Sequence, residues 1–225
     1  MRLATFLRGI GQTLITAGVV ILLFVAYELY FTGLETAREQ HALSDEIEQV
    51  WRHGGGYSKP GDPLPKIKIG DGVAVLRIPR FGREWFKVVV EGVSVADLKR
   101  GPGHYPGTQL PGQKGNFVVS GHRTTYGAPF NRVDELEQGD AIVVETRTTW
   151  YTYRVTTTQV VEPTAIEVTY PVPYRAGEKP VLARITLTSC HPKYSASQRY
   201  VVFGQLEETT PKSAGTPTAL APGAA

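Results

Sequence analysis

Cysteine is nearly absent: Cys190 is the only one in 225 residues. One thiol excludes an intrachain disulfide and a cysteine-rich zinc site. Charge of one sign is also scarce. Lys plus Arg number 24 against 21 Asp plus Glu, a formal net charge of +3, with no basic stripe interleaved with aromatics. Nucleic acid is therefore not expected as a partner. There is no GxGxxG, no P-loop and no βαβ alternation, which disfavours nucleotide-binding folds. Hydrophobic residues nevertheless reach 41%, ordinary for a chain that buries a core. The length suits one domain with appendages.

The longest apolar run, LITAGVVILLFVAYELYF from Leu14 to Phe31, contains one charge, Glu28. It approaches the roughly 20 residues a helix needs to cross a bilayer. Tyr27, Tyr30 and Phe31 suit an interfacial aromatic belt. Arg2 and Arg8 precede the run with no acidic neighbour, which predicts a cytoplasmic N-terminus and an exported remainder. No small-residue A-x-A site follows the run, so a single-pass anchor is expected rather than a cleaved signal peptide. The expected divisions are a cytoplasmic N-terminus (1–13), a transmembrane anchor (14–31), an extracellular stalk and linker (32–71), a β-rich domain (72–206) and a disordered tail (207–225).

In the stalk, Leu43, Ile47, Val50 and Trp51 recur at helical spacing. A solvated juxtamembrane helix is expected there, followed by a Gly/Pro-rich linker from Gly54 to Pro65. Beyond Gly72 the chain changes to short runs rich in Val, Ile, Thr, Tyr and Phe. These are Val73–Ile78, Phe86–Glu91, Asn116–Ser120, Ala141–Thr146, Trp150–Val161, Val181–Ser189 and Tyr200–Leu206. Turn clusters separate several of them, which predicts a mostly β barrel or sandwich. Ser94 and Asn131 can cap short helices through Lys99 and Glu137. The tail EETTPKSAGTPTALAPGAA offers only Leu220 as a large apolar anchor, so disorder is expected from Glu207.

Cys190 ends the run Ala183–Ser189. Strand alternation puts Thr186, Thr188 and Cys190 on one face and Ile185, Leu187 and Ser189 on the other. Free cysteine is commonly a buried structural thiol. Outside the cell, however, an unpaired thiol is open to oxidation, and a nucleophile becomes an equal alternative. A nucleophilic thiol needs a base and stabilisation of developing negative charge. Of five histidines, His41 and His53 lie in the stalk and linker, and His104 sits in a Gly/Pro-rich turn that suits a structural role. His191 adjoins Cys190 but points to the opposite face of a strand. His122 leaves the apolar strand Phe117-Val118-Val119 into a polar loop and is the best placed acid/base. Arg199 opens a strand after the loop HPKYSASQ, and its guanidinium can donate paired hydrogen bonds to a carbonyl or oxyanion.

Together, Thr186-Leu187-Thr188-Ser189-Cys190, the later Arg199, and Ser120-Gly121-His122-Arg123 resemble the sortases, membrane-anchored cysteine transpeptidases of Gram-positive bacteria. The strings GPGHYPGT, SGHRTTYGAPF and TLTSCHP look most like class E. Ser189 stands where the family pattern TLxTC has threonine and keeps the hydroxyl. The resemblance covers roughly Gly72 to Leu206 and implies an eight-stranded β-barrel with one or two short helices. It implies Cys190 as nucleophile, His122 as acid/base and Arg199 as the support for substrate backbone and oxyanion. The implied substrates are secreted proteins with a C-terminal LAxTG-like sorting signal, LPxTG being the alternative. A thioester would form, and an amine on a peptidoglycan precursor would resolve it. Tyr126, with packing against Pro129 and Phe130 as the alternative, and Thr188 and Ser189 are assigned to the substrate. No cofactor is expected. No metal is expected either, since Asp134, Glu135 and Glu137 read as a solvated helix face. An L,D-transpeptidase would carry SHGC, whereas Thr188 and Ser189 precede Cys190 here. A non-enzymatic anchored barrel binding wall polymer or a partner requires that Cys190, His122 and Arg199 fail to converge.

Overall fold

A computed structural model describes residues 2–27, 32–62 and 65–221. The chain opens with helix α1 (Arg2–Ala26). Phe6–Ala26 of it is long and apolar enough to cross a membrane, and none of it is buried against the rest of the chain. The apolar helix thus begins earlier than the expected Leu14. Two threonines within it fold their hydroxyls onto the backbone, Thr13 to Gly9 O at 3.0 Å and Thr16 to Gln12 O at 2.9 Å. Those bonds satisfy polar groups that lipid could not. Glu28, Tyr30 and Phe31, placed by the sequence at the outer interface, lie outside the described residues.

Eight strands form a closed barrel: β1 (Gly72–Arg77), β2 (Phe86–Glu91), β3 (Gly103–His104), β4 (Gly115–Ser120), β5 (Ala141–Glu145), β6 (Thr149–Val161), β7 (Ala183–His191) and β8 (Gln198–Pro211). The order around the barrel is β1-β2-β3-β4-β7-β8-β6-β5, closed by β1 against β5. Alternating side chains fill the interior, among them Leu76, Val89, Phe117, Val119, Ile142, Val144, Tyr153, Ile185, Leu187 and Val202. Most pairings are antiparallel, but β4 and β7 run parallel from Gly115↔Ala183 to Ser120↔Thr188. Parallel neighbours end on the same side of a sheet, so whatever follows Ser120 and Thr188 emerges at one barrel end.

β3 escaped the sequence reading because it is two residues with no apolar side chain. A Cβ on Gly103 would come within 2.0 Å of Gly92 O, so this strand needs glycine to lie against its neighbour. Helix α3 (Val95–Arg100) has the expected Ser94 cap, with Asp97 completing a reciprocal capping box. The second expected helix is only a 3-10 turn, Val133–Glu135, without a side-chain cap from Arg132.

Helix α2 (Thr32–Arg52) is not the solvated stalk expected from sequence. Leu43 and Ile47, one turn apart, are 1% and 3% exposed against Val75, Val88 and Val90 on the outer barrel wall. One turn earlier, Gln40 donates Nε2 to Val88 O (3.1 Å) and Arg100 O (2.8 Å) and accepts from Val88 N (2.8 Å). On β2, β3 reaches only Val90 and Glu91, so the outward amide group of Val88 would otherwise lack a partner strand. The Gln40 amide supplies that partner.

The tail also departs from expectation. Charged and polar residues 207–211 extend β8 and pair with β6 from Thr149↔Pro211 to Thr152↔Glu208. Ala219, 4% exposed, and Leu220 then pack on Ala141, Val143 and Trp150. Order here comes from a ladder along an existing strand, which a low-hydrophobicity composition does not disclose. Residues 222–225 lie outside the described residues.

Candidate active site

Cys190 is a free, half-buried thiol near the end of β7. It lies directly opposite Arg199 of β8, in the register Cys190↔Arg199. On its other side, the β4–β7 register ends at Ser120↔Thr188. The two chains stay together past that point. Gly121 N donates to Thr188 O at 3.1 Å, and Ser189 Oγ donates to Gly121 O at 2.8 Å. His122 and Cys190 are each two residues beyond the last β4–β7 pair, so β4, β7 and β8 bring His122, Cys190 and Arg199 to one end of the barrel. Among the described residues no hydrogen bond joins the Cys190 thiol to His122.

Gly121 permits the turn into the histidine loop, because a Cβ there would meet the Phe130 ring at 2.6 Å. Phe130 N donates to His122 O at 3.1 Å and closes the loop. The His122 ring sits 4.9 Å from that of Tyr126, with 46° between planes. Its Nε2 is buried and has no hydrogen-bond partner among the described residues. Burial, followed by the positive charge of Lys99, holds the imidazole below its ordinary pKa of 6.5. Lys99 also places its Nζ 5.2 Å from the centre of the Tyr126 ring. The site thus holds a neutral imidazole with a free nitrogen at neutral pH.

The other expected residues divide. Tyr126 packs on His122, and its backbone is left-handed, with φ 51°. Thr188 is buried on the same strand face as Cys190. Ser189, expected at the substrate, faces the barrel interior instead. It is 2% exposed and its hydroxyl is engaged by Gly121 O, because strand alternation turns it away from the Cys190 face. The Arg199 guanidinium curls back on its own loop, donating Nη1 to Ala196 O and Gln198 O, each at 2.9 Å. His191 takes the opposite face from Cys190, its ring 5.7 Å from that of Tyr200. His104 is a buried structural residue, bonded to Glu91 at 2.7 Å and Thr108 at 2.9 Å.

The acidic residues beside the site are solvent-exposed, as expected, and each is also paired: Asp134 with Arg123 at 2.7 Å, Glu135 with Arg132 at 2.6 Å and Glu137 with Arg80 at 3.1 Å. Among the described residues no three His, Cys, Asp or Glu side chains group as a metal site. The sequence pattern assigns no role to Arg123, beside His122, yet Arg123 is 2% exposed and donates Nη1 to Cys190 O at 3.3 Å. A basic residue next to the candidate acid/base was the available signal.

The chain is similar to known proteins in sequence and in fold. A sequence profile described as Sortase domain matches residues 76–207. Sortase SrtE1 of Streptomyces coelicolor is 37% identical over 221 residues, 95% of this chain. This chain spans 60% of that relative's length. The solved structure of sortase E from Streptomyces avermitilis superposes with a TM-score of 0.63 at 44% identity, covering 68% of this chain and 99% of that one. Sortase E1 from Streptomyces coelicolor, solved with a tripeptide in the active site, gives 0.62 at 38% identity, covering 68% and 98%. With the profile spanning more than half of the residues and the barrel shared throughout, the chain belongs to the sortase family.

Proposed function

We propose that the protein is a membrane-anchored cysteine transpeptidase that cuts a C-terminal sorting signal between threonine and glycine. The observation that carries this reading is the common exit of β4 and β7, which delivers His122 and Cys190 to one barrel end. The Cys190 sulfur attacks the threonine carbonyl carbon, and the thiol proton passes to His122. The tetrahedral adduct collapses as the C–N bond breaks, and His122 returns its proton to the departing glycine amine. A thioester remains on Cys190. An amine of a peptidoglycan precursor attacks that thioester and loses its proton to His122. The thiolate departs and recovers the proton. Arg199 donates to the substrate carbonyl and oxyanion after exchanging its present carbonyl partners for the substrate. Thr188 and Tyr126 border the peptide. Ser189 supports the strand rather than the peptide.

The α1 helix anchors the enzyme, with Arg2 and Arg8 on the cytoplasmic side and the barrel outside. The signal is LAxTG-like, as the class E resemblance implies, and a tripeptide occupies the active site of the sortase E1 relative. The test is cleavage of LAxTG and LPxTG peptides by the full chain in detergent micelles, with and without an added amine. Cleavage of LAxTG after threonine, with the amine joined to the threonine, is expected. Neither peptide being cut by folded protein would overturn the reading.

The depressed pKa of His122 gives a second expectation. The first proton transfer requires neutral imidazole, so kcat/KM falls on acidification as His122 takes up a proton, with a midpoint below 6.5. Lys99 is the second cause of that depression, after burial. Lys99→Gln removes its charge and should move the acid limb to higher pH. A limb that stays in place would argue against His122 as the titrating base.

A further inference from the structure

Arg123 has a buried, fully engaged guanidinium near the site and no part in the chemistry above. It follows His122 directly, yet its guanidinium is turned into the barrel end and 2% exposed. All three guanidinium nitrogens have partners: Nε donates to Asn131 O at 3.0 Å, Nη1 to Cys190 O at 3.3 Å, and Nη2 lies 2.7 Å from an Asp134 carboxylate oxygen. Asn131 Nδ2 donates back to Arg123 O at 3.0 Å. The guanidinium carbon also sits 5.8 Å from the centre of the Tyr200 ring on β8. These contacts join three pieces of chain: the histidine loop from Arg123 to Asn131, the 3-10 turn carrying Asp134, and the nucleophile's own carbonyl on β7.

The β4–β7 ladder ends at Ser120↔Thr188. Past it, the backbone of the His122 loop is held to β7 by Gly121 N, by Ser189 Oγ and by this guanidinium. Arg123 is the contact nearest the reacting atoms, since it grips Cys190 itself. A buried cation of this kind is costly unless it is paired, and here Asp134 supplies the opposite charge while each nitrogen has an acceptor.

We propose that Arg123 is a positioning residue, which sets the spacing between His122 and Cys190 by binding the Cys190 carbonyl and the far end of the histidine loop at once. The role rests on the cysteine–histidine chemistry proposed above. Lysine cannot replace the fork, because a single ammonium cannot span acceptors on three chain segments in fixed directions. Misplacement of about 1 Å between reacting groups can cost on the order of a hundredfold in rate. Arg123→Lys should therefore lower kcat toward LAxTG peptide by roughly ten- to a hundredfold while leaving KM near its wild-type value.

The decisive experiment uses a second readout, alkylation of Cys190 by iodoacetamide. It is measured on the full chain in detergent micelles as wild type, Arg123→Lys, His122→Ala and the double variant. If Arg123 acts by placing His122 against the thiol, Arg123→Lys slows alkylation in the wild-type background and has no further effect once His122 is removed. An equal effect in both backgrounds means a merely structural role and overturns the proposal, as does no effect in either. Circular dichroism checks that the variants fold. If Arg123→Lys does not fold, Asp134→Ala, which loosens the same guanidinium, is subject to the same criteria. Wild-type protein that shows the alkylation coupling but cuts no sorting peptide would sink the proposed function and leave the positioning role standing. Wild-type protein that cuts peptide, with Arg123→Lys cutting equally well, would sink the positioning role alone.

Discussion

Cys190→Ala is expected to abolish peptide cleavage, a loss on the order of a thousandfold or more, because no other group can form the thioester. The variant should also fail to form an adduct with a thiol-reactive sorting-signal analogue, whose mass would otherwise appear on intact protein. Cys190 is the only cysteine, so one mass measurement identifies the site without peptide mapping. The substitution removes one sulfur from a half-buried strand end whose backbone bonds stay in place, so the thermal midpoint should barely move. Cleavage retained by Cys190→Ala would reject the covalent mechanism. The midpoint, measured on the same sample, separates loss of chemistry from loss of fold.

Deleting residues 207–225 is expected to destabilise the barrel strongly. The sequence reading, which takes this segment as disordered, anticipates no effect. The deletion removes the β6–β8 pairs Thr149↔Pro211, Trp150↔Thr210, Tyr151↔Thr209 and Thr152↔Glu208. It strips Ala219 and Leu220 from Ala141, Val143 and Trp150. It also removes Lys212, whose Nζ lies 2.7 Å from Glu145 and 4.2 Å from the centre of the Trp51 ring, joining barrel and α2. At about 1 kcal/mol for each ladder bond lost, the cost is on the order of 4 kcal/mol before any apolar burial is counted. For a chain of this size, that corresponds to a thermal midpoint lower by about 10 °C. Lys212→Ala should show a small part of the same effect, since the salt link it breaks is partly solvated. An unchanged midpoint after deletion would show that the β8 extension contributes nothing to stability.

Much of the barrel was legible because its strands are locally patterned. Ile185 and Leu187 alternate with Thr186 and Thr188, and that alternation alone put Cys190 opposite the core-facing side chains. Ser94 announced α3 through its cap. The failures share one cause. β3, the tail and the docked face of α2 owe their order to partners distant in sequence, and their own residues are weak signals. Gly103 and His104 form a strand only because β2 and β4 flank them. Glu207 to Pro211 extend β8 because β6 runs alongside. Gln40 looks like a solvent-facing helix residue until Val88 is found to need its amide.

The same division holds at the site. The sequence by itself determined the chemical repertoire: one thiol at a strand end, a histidine leaving an apolar strand, an arginine at the next strand's start. These follow from residue type and period, which are local properties. Only the tertiary structure decided that the three share one barrel end. His122 and Cys190 share a barrel end because β4 and β7 are parallel, and parallel pairing is set by packing across the whole barrel rather than by either strand. It also decided that Ser189 points inward and that Arg123 holds the Cys190 carbonyl. A buried charge takes its position from matched acceptors on several chain segments, and those acceptors come together only when the barrel closes.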